Sequence, residues 1–423
     1  MKNSILFLLL LVLLFPAICR AQMTVDCTGN NQGTYSSISS ALSAAGFGST
    51  IVVVAGPCTE DVYIAGAKNL FVGAVWGQRI TLNGLMSVTQ SQGVYLYGLD
   101  ISVPYADGIA LYESQGVVID SCTSSHNGGA GLNLGGGSEA LINGPAAFDF
   151  NLGGGITISG KSYVETGWAG PIDISNNASS GVLASPGTFF SWGGLTVTNN
   201  YPTGLPGAAG SGLDLSQNSA AMLGSCNGPI VVSGNQQGGV LMVETSQASI
   251  FSCGNDLLVA NNGPFGVSVG FGSQVTLDAV EVSGNSGPAV DVYSNGQARL
   301  IGANNLHNNG NSADQRSAAV RVDGNSEVLL RGGQITHNAG PGILALVNSS
   351  ADFTGVSFGS NTGGVIVCDT SAYMVSDATG RGVSCRTPHG LGNRRVTIQR
   401  HALPDWKAAK TIQAKYRALA KRK

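Results

Sequence analysis

Charge is what this sequence has least of. Of its 423 residues only 11% are Asp, Glu, Lys or Arg, against a usual ~25%. That poverty excludes a coiled coil, whose flanking positions need abundant Glu and Lys. Residues 22–393 hold nine Lys/Arg against 23 Asp/Glu, a net of −14. Such a body lacks the clustered cations that nucleic-acid phosphates require. Proline is scarce, at 14 residues, and glycine shows no three-residue period, which excludes collagen. Disorder goes with low hydrophobicity and high net charge, whereas here 43% of residues are hydrophobic and the net charge is −3. Long apolar runs are absent after residue 21, so no membrane-spanning segment is expected there. What is abundant is glycine, at 62 residues, about twice the usual ~7%.

Residues 1–21 read as a secretory signal peptide. Lys2 supplies the positive start, residues 5–15 are unbroken apolar, and Cys19-Arg20-Ala21 is a small-x-small cleavage step. Secreted, extracellular or cell-surface placement is therefore expected. Cleavage leaves seven cysteines: Cys27, Cys58, Cys122, Cys226, Cys253, Cys368 and Cys385. Export permits disulfides, and nearness in sequence pairs Cys27–Cys58, Cys226–Cys253 and Cys368–Cys385, leaving Cys122 free. Metal binding is the rival reading, but no CxxC or Cys/His pairing at metal spacing occurs.

The main signal is internal repetition. Asparagines recur at 127, 151, 177, 200, 235, 262, 285, 309, 338 and 361, nine intervals over 234 residues, or 26 per interval. Each precedes a glycine-rich step and an apolar-x-apolar triplet, as in Val267-Ser268-Val269 and Val290-Asp291-Val292. Such alternation marks a short strand with one face buried. A second strand follows a Ser-rich turn, as in Ala298-Arg299-Leu300, and a third, as in Val282-Ser283, leads into the next Asn. Three strands per repeat describe one turn of a parallel β-helix, an all-β solenoid of about 12 coils. One coil cannot bury its apolar face alone, but stacked coils share one core. The Asn column is expected to form a ladder of side-chain amides at a tight turn.

The chain divides into an N-terminal cap over 22–58, the β-helix over 59–376, a C-terminal cap or linker over 377–402 and a basic amphipathic helix over 403–423. Within the cap, Tyr35, Ile38, Leu42 and Ala45 lie on one face of an expected helix over 34–45 that ends at Gly46.

This arrangement resembles the right-handed parallel β-helix proteins of the pectin lyase-like superfamily. The capping helix (TYSSISSALSAAG), the strand TIVVVAG and the step Pro57-Cys58-Thr59-Glu60-Asp61-Val62 are similar to the start of pectin methylesterase-like chains. The resemblance implies a fold used on acidic polysaccharides by lyases, hydrolases and esterases, and also by non-catalytic surface proteins. No specific enzyme family matches. The Asn-Thr-Asp, Asp-Asp, Gly-His-Gly and Arg-Ile-Lys steps of polygalacturonase-like enzymes and the Arg-x-Pro-x-x-Arg step of pectate lyases are absent. Asp149-Phe150-Asn151-Leu152-Gly153 echoes the Asp-Phe-x-Phe-Gly of pectin methylesterases, without the companion Leu-Gly-Arg-Pro-Trp. Asp149 is thus either a nucleophile or an outward residue between two core phenylalanines.

In a solenoid, equivalent positions stack, so a site should appear as a polar column. Asn83, Asp100, Asp120 and Asn143 each follow an apolar residue. If Asp100 and Asp120 lie one coil apart, one pKa rises and the pair serves as acid and base, or the two share Ca2+. His126 would stand nearby. Otherwise these positions are turn residues. A second candidate is aromatic: Tyr163, Trp168, Phe189, Phe190, Trp192 and Tyr201 cluster beside an insertion over 201–212. An exposed platform would bind sugar rings, and a buried one would be core. Along the first strand the central residues include Asp214, Ser268, Asp291 and Arg321, with an ion pair expected between the last two.

Residues 394–423 carry ten Lys/Arg and one acid, for +9. Ile412-Gln413, Arg417 and Arg422 match the spacing of the IQ motif bound by calmodulin-like proteins, but export makes that partner unlikely. A basic amphipathic helix also suits an anionic surface. The sequence therefore points to an exported, non-catalytic scaffold binding a polysaccharide or cell-surface glycan. The alternative is a polysaccharide-active enzyme with an unfamiliar site. No cofactor other than Ca2+ is implied.

Overall fold

The structure is a computed structural model, and it describes residues 22–167, 170–201, 210–311, 317–369 and 371–376. The expected signal peptide, C-terminal linker and basic helix, together with Trp168 and Cys385, lie outside the described residues.

Apolar-x-apolar segments fold as expected into short strands, each paired in parallel with its equivalents one turn before and after. A first strip follows the Asn corner, as in Val267–Val269, Val290–Val292 and Val320–Val322. A second strip contains Gln274–Asp278, Gln297–Ile301 and Glu327–Arg331. A third contains Glu281–Ser283, Asn305–His307 and Gln334–Thr336. The third strip is a 12-stranded sheet of its own, whereas the first and second share one of 26 strands. They join because Ile156–Thr166 and Val182–Ser191 each run through both. About 14 turns are present rather than the expected 12. The Asn column begins only at Asn127, but Thr50–Ala55, Phe71–Ala74 and Tyr95–Tyr97 already stack in the second strip.

Inward residues such as Val282, Val290, Val292 and Leu300 are buried in one continuous core. Each contributes roughly 1.5–3 kcal/mol relative to exposure. Between them stands the expected ladder. Asn262 Nδ2 donates to Asn285 Oδ1 at 3.0 Å and to the Val232 carbonyl at 3.0 Å. Its own Oδ1 accepts from the backbone N and the Nδ2 of Asn235 at 3.1 and 3.0 Å. The same links run from Asn127 to Asn361. The glycine-rich step has its reason here. A Cβ on Gly212 would stand 2.9 Å from the Asn235 Nδ2 and 2.7 Å from a backbone carbonyl. A shorter serine ladder occupies the corner before the second strip, where Ser91 and Ser114 donate their backbone N–H to Ser114 and Ser138 Oγ.

One helix is described, Ile38–Ala44, shorter than the expected 34–45. Thr34 and Tyr35 instead give their backbone N–H to Thr24, and Tyr35 makes an isolated bridge with Val25, so they stand outside the helix. Ser37 caps the helix through Ser40 N, and Glu60 accepts from the N–H groups of Ile38 and Ser39. Among the described residues no helix is long and apolar enough to cross a membrane. Cys27–Cys58 and Cys226–Cys253 are bonded as expected, Cys122 is free and buried, and Cys368 is disulfide-bonded.

The ladder yields a prediction. Asn262→Ala leaves a carbonyl and two donors of its neighbours without partners, at ~1–3 kcal/mol each. Urea unfolding should show a loss of about 3 kcal/mol or more. An unchanged midpoint would remove the ladder from the account of stability.

Candidate functional site

The outward residues of each strip stack in rows, and the sequence candidates fall on three of them. Asp100 lies on Leu99–Ser102 of the third strip, between Thr81 and Thr123. Its carboxylate accepts from Arg79 Nε at 2.7 Å and from the Thr123 hydroxyl. Asp120 lies on Val117–Asp120 of the second strip, between Tyr97 and Asn143. It accepts from the Tyr95 hydroxyl, from Ser121 Oγ at 2.9 Å and from Asn143 Nδ2 at 3.3 Å. Burial and then this carboxylate push the Tyr95 hydroxyl well above the ordinary tyrosine range.

The expected column of Asn83, Asp100, Asp120 and Asn143 therefore separates. One turn here advances 23 residues, from Asp100 to Thr123. A step of 20 falls short, onto the preceding strip. Asn83 stands beside Ser102, and only Asp120 and Asn143 are rung neighbours. The shared Ca2+ site does not fit either. These carboxylates are engaged by a guanidinium, hydroxyls and an amide, and a hard cation wants six to eight oxygens converging on it. Among the described residues, the group of three potential metal ligands is Cys27, Cys58 and Glu60. The two cysteines are bonded to each other and Glu60 caps the helix.

His126 and Asp149 do come together. His126 precedes the ladder residue Asn127 with φ 57, and Phe150 precedes Asn151 with φ 52. This corner turns both side chains outward, where their rings stack at 5.3 Å and 12°. Phe148 is fully buried but Phe150 is 50% exposed, so Asp149 does not lie between two core phenylalanines. Burial, and then Asp173 on the next turn, raise the Asp149 pKa, and His126 opposes them. Burial likewise raises Asp173, against a hydrogen bond with Ser175. Oδ1 of each is buried without a hydrogen-bond partner.

Among the described residues, the expected aromatic platform over 163–201 is not exposed. Trp192 is 8% exposed and Tyr201 7%. Trp192 packs with Met222 and Phe251, Phe190 lies half-buried against them, and Tyr163 meets Phe190 edge-on. Both Trp192 Nε1 and the Tyr163 hydroxyl donate to Glu165, which explains how a carboxylate sits in this cluster.

One exposed aromatic that sequence reasoning missed is Trp76. It is 76% exposed, and its ring stacks on Tyr97 at 4.5 Å and 2°. Tyr97 is buried, accepts from Gly77 N at 3.0 Å and stacks with Phe71, which stacks in turn with Tyr95. The turn holding Trp76 also holds Arg79, so the indole, the Arg79–Asp100 pair and the Asp120 cluster occupy one corner over three turns. Trp76 sits in a turn rather than a strand, so reading columns could not find it.

On the first strip, Asp291 and Arg321 are rung neighbours as expected, 3.8 Å apart, although Arg321 is closer to Asp323 at 2.9 Å. Asp214 is 7% exposed between Leu183 and Leu241. Burial and the nearby Glu244 push its carboxyl up to about 6 from 3.8. The folded state thus holds this proton more tightly than the unfolded chain. The group's contribution is greatest below pH 3.8, is lost as pH rises to about 6, and stays lost above. The cost at neutral pH is of order 3 kcal/mol. Asp214→Asn should raise the neutral-pH melting temperature and flatten the fall in stability between pH 4 and 6. A variant melting at or below the parent temperature, with the same pH slope, would contradict this.

A family model described as the right handed beta helix region matches residues 83–253 and 238–382. No curated protein matches the chain. Among solved structures, the pectate lyase Pel9A is 15% identical at TM-score 0.46, over 67% of this chain and 76% of that one. The A-module of the mannuronan C-5 epimerase AlgE6 from Azotobacter vinelandii is 14% identical at TM-score 0.42, over 80% and 94%. The gp42 tailspike of Acinetobacter phage vb_AbaP_AS12 is 11% identical at TM-score 0.34, over 84% and 62%. At these scores the likeness bears on neither site nor activity. The family model spans most of the chain, and with the parallel strips and ladder described above, this protein belongs to the right-handed β-helix family.

Proposed function

We propose that this protein is an exported β-helix that binds glycan without cleaving it, at the corner around Trp76. The observation that carries the reading is the indole itself. One face rests on Tyr97, and with 76% of the residue exposed the other is turned to solvent. A flat ring held in place by stacking covers well the C–H face of a sugar. Arg79, Asp100, Ser121 and Asn143 supply donors and acceptors at the rim for hydroxyls. The body carries net −14, which favours neutral glycans over polyanions.

Two disulfides, Cys27–Cys58 and Cys226–Cys253, point to an extracellular setting. Residues 1–21 would direct the export. The ten cations of residues 394–423 would add contact with an anionic surface.

A second reading has its own observation. Asp149 and Asp173 are half-buried carboxylates on adjacent turns, both raised in pKa, beside His126. That is the raw material of an acid–base pair in a polysaccharide-active enzyme.

Titration with neutral oligosaccharides, followed by calorimetry, separates the two. Trp76→Ala should weaken binding about tenfold or more, since removing an anchoring aromatic costs roughly 2 kcal/mol. Its melting temperature should not change. Absence of binding across a panel of neutral glycans, or unchanged affinity in the variant, would refute the binding site. Release of reducing ends or unsaturated products, lost in Asp149→Asn, would establish the enzyme instead.

A further inference from the structure

A second polar row lies on the outer face of the first strip, apart from the corner around Trp76. Asp214, Leu241, Ser268, Asp291 and Arg321 follow one another there, rung by rung. Asp214 is 7% exposed, and among the described residues no hydrogen bond reaches its carboxylate. Ser268 is 2% exposed. The Tyr293 ring lies back over Gly270, where an added Cβ would meet it at 2.4 Å. Its hydroxyl is hydrogen-bonded with Ser268 and feels the charges of both Asp291 and Asp214. Asp291 Oδ1 and Arg321 Nε are buried without partners. One acceptor and one donor on a single face are thus unsatisfied. Buried polar groups in native folds are nearly always paired, so exceptions ask for an occupant.

Geometry sets the occupant's size. Three rungs separate Asp214 from Asp291, which is about 14 Å at the spacing of paired strands. No single cation, with its oxygens at ~2.3–2.6 Å, spans that. The paired carboxylates of a glycoside hydrolase stand at most ~9.5 Å apart, so Asp214 and Asp291 are not such a pair. The ligand must be extended and lie along the solenoid axis. Charge sets its sign. Asp214, Glu244, Asp291 and Asp323 face one cation, Arg321. Apolar contacts set its shape. Leu183 and Leu241 are half-buried beside Asp214. Phe271 is 57% exposed, edge-on to Tyr293 at 5.5 Å and 83°.

We propose that this row binds an oligosaccharide bearing free amines, laid along the rungs with one ammonium on Asp214 and another on Asp291. Its hydroxyls accept from Arg321 Nε, and its C–H faces rest on Leu241 and Phe271. The site differs from the Trp76 corner in its face and in the charge of its ligand, so it does not depend on that reading.

Calorimetry on the full chain, at neutral pH where Asp214 is ionised, tests it with glucosamine oligomers and with N-acetylated oligomers of the same length. The free amine should bind at least about tenfold more tightly, as expected for charge-assisted hydrogen bonds. Asp214→Asn and Asp291→Asn should each lower its affinity about tenfold. Asp214→Asn, expected to fold more stably than the parent, keeps the test decisive if Asp291→Asn unfolds. Equal affinity for the two oligomers, no binding of either, or unchanged affinity in Asp214→Asn would overturn the proposal.

Discussion

A buried asparagine has four hydrogen-bonding positions to satisfy, two donors and two acceptor lone pairs. At the corner before the first strip the same residue directly above and below satisfies all four. Asn262 takes two donors from Asn235 and gives its own to Asn285 and to a carbonyl of the preceding turn. That condition propagates. It fixes the rung spacing, and it brings the next amide so close that the first residue of the strip has room for little more than hydrogen. It also needs a left-handed residue just before it, which His126, Phe150, Asn176, Asn199, Asn261 and Asn308 supply. Hydrophobic stacking alone would hold the coils together but would tolerate slippage. The amide ladder does not.

Because the ladder and the core use the inward and corner positions, the outward positions are free to vary, and function is confined to them. They vary in a patterned way. Near the N-terminal turns they build an aromatic wall ending in Trp76. In the middle they place Asp149 and Asp173 beside the His126–Phe150 stack. Further along they form the row from Asp214 to Arg321. Each contains groups that the fold itself does not need and in two cases leaves unsatisfied.

Much of this could be read from the chain. The period of 26, the Asn column and the first-strip row of central residues match the strand register from Ala110 to Leu344, but Ile366, expected to end that row, pairs with Ile343, and Val367 stands beside Leu344 instead. They are legible because a solenoid converts sequence spacing directly into spatial adjacency. The reading failed where spacing departs from the period. Asp100 and Asp120 differ by 20 residues where a turn takes 23, and so fell on different strips. It also failed where exposure decides. Trp192 looked like a platform and is buried over Glu165, while Trp76, in a turn that no repeat describes, is open. Burial of an outward residue depends on what the neighbouring turns place over it, and alternation within one strand does not report that.

The central claim is the register, and it can be measured by crosslinking. Arg299 and Leu329 are outward rung neighbours, 30 residues apart in sequence. With Arg299→Cys and Leu329→Cys in one chain, mild oxidation of the folded protein should join the two, as mapped by mass spectrometry. Arg299→Cys with Leu330→Cys, whose side chains face opposite sides, should not join. The reverse preference, or no bond in either pair, would contradict the stacking on which every row described above depends.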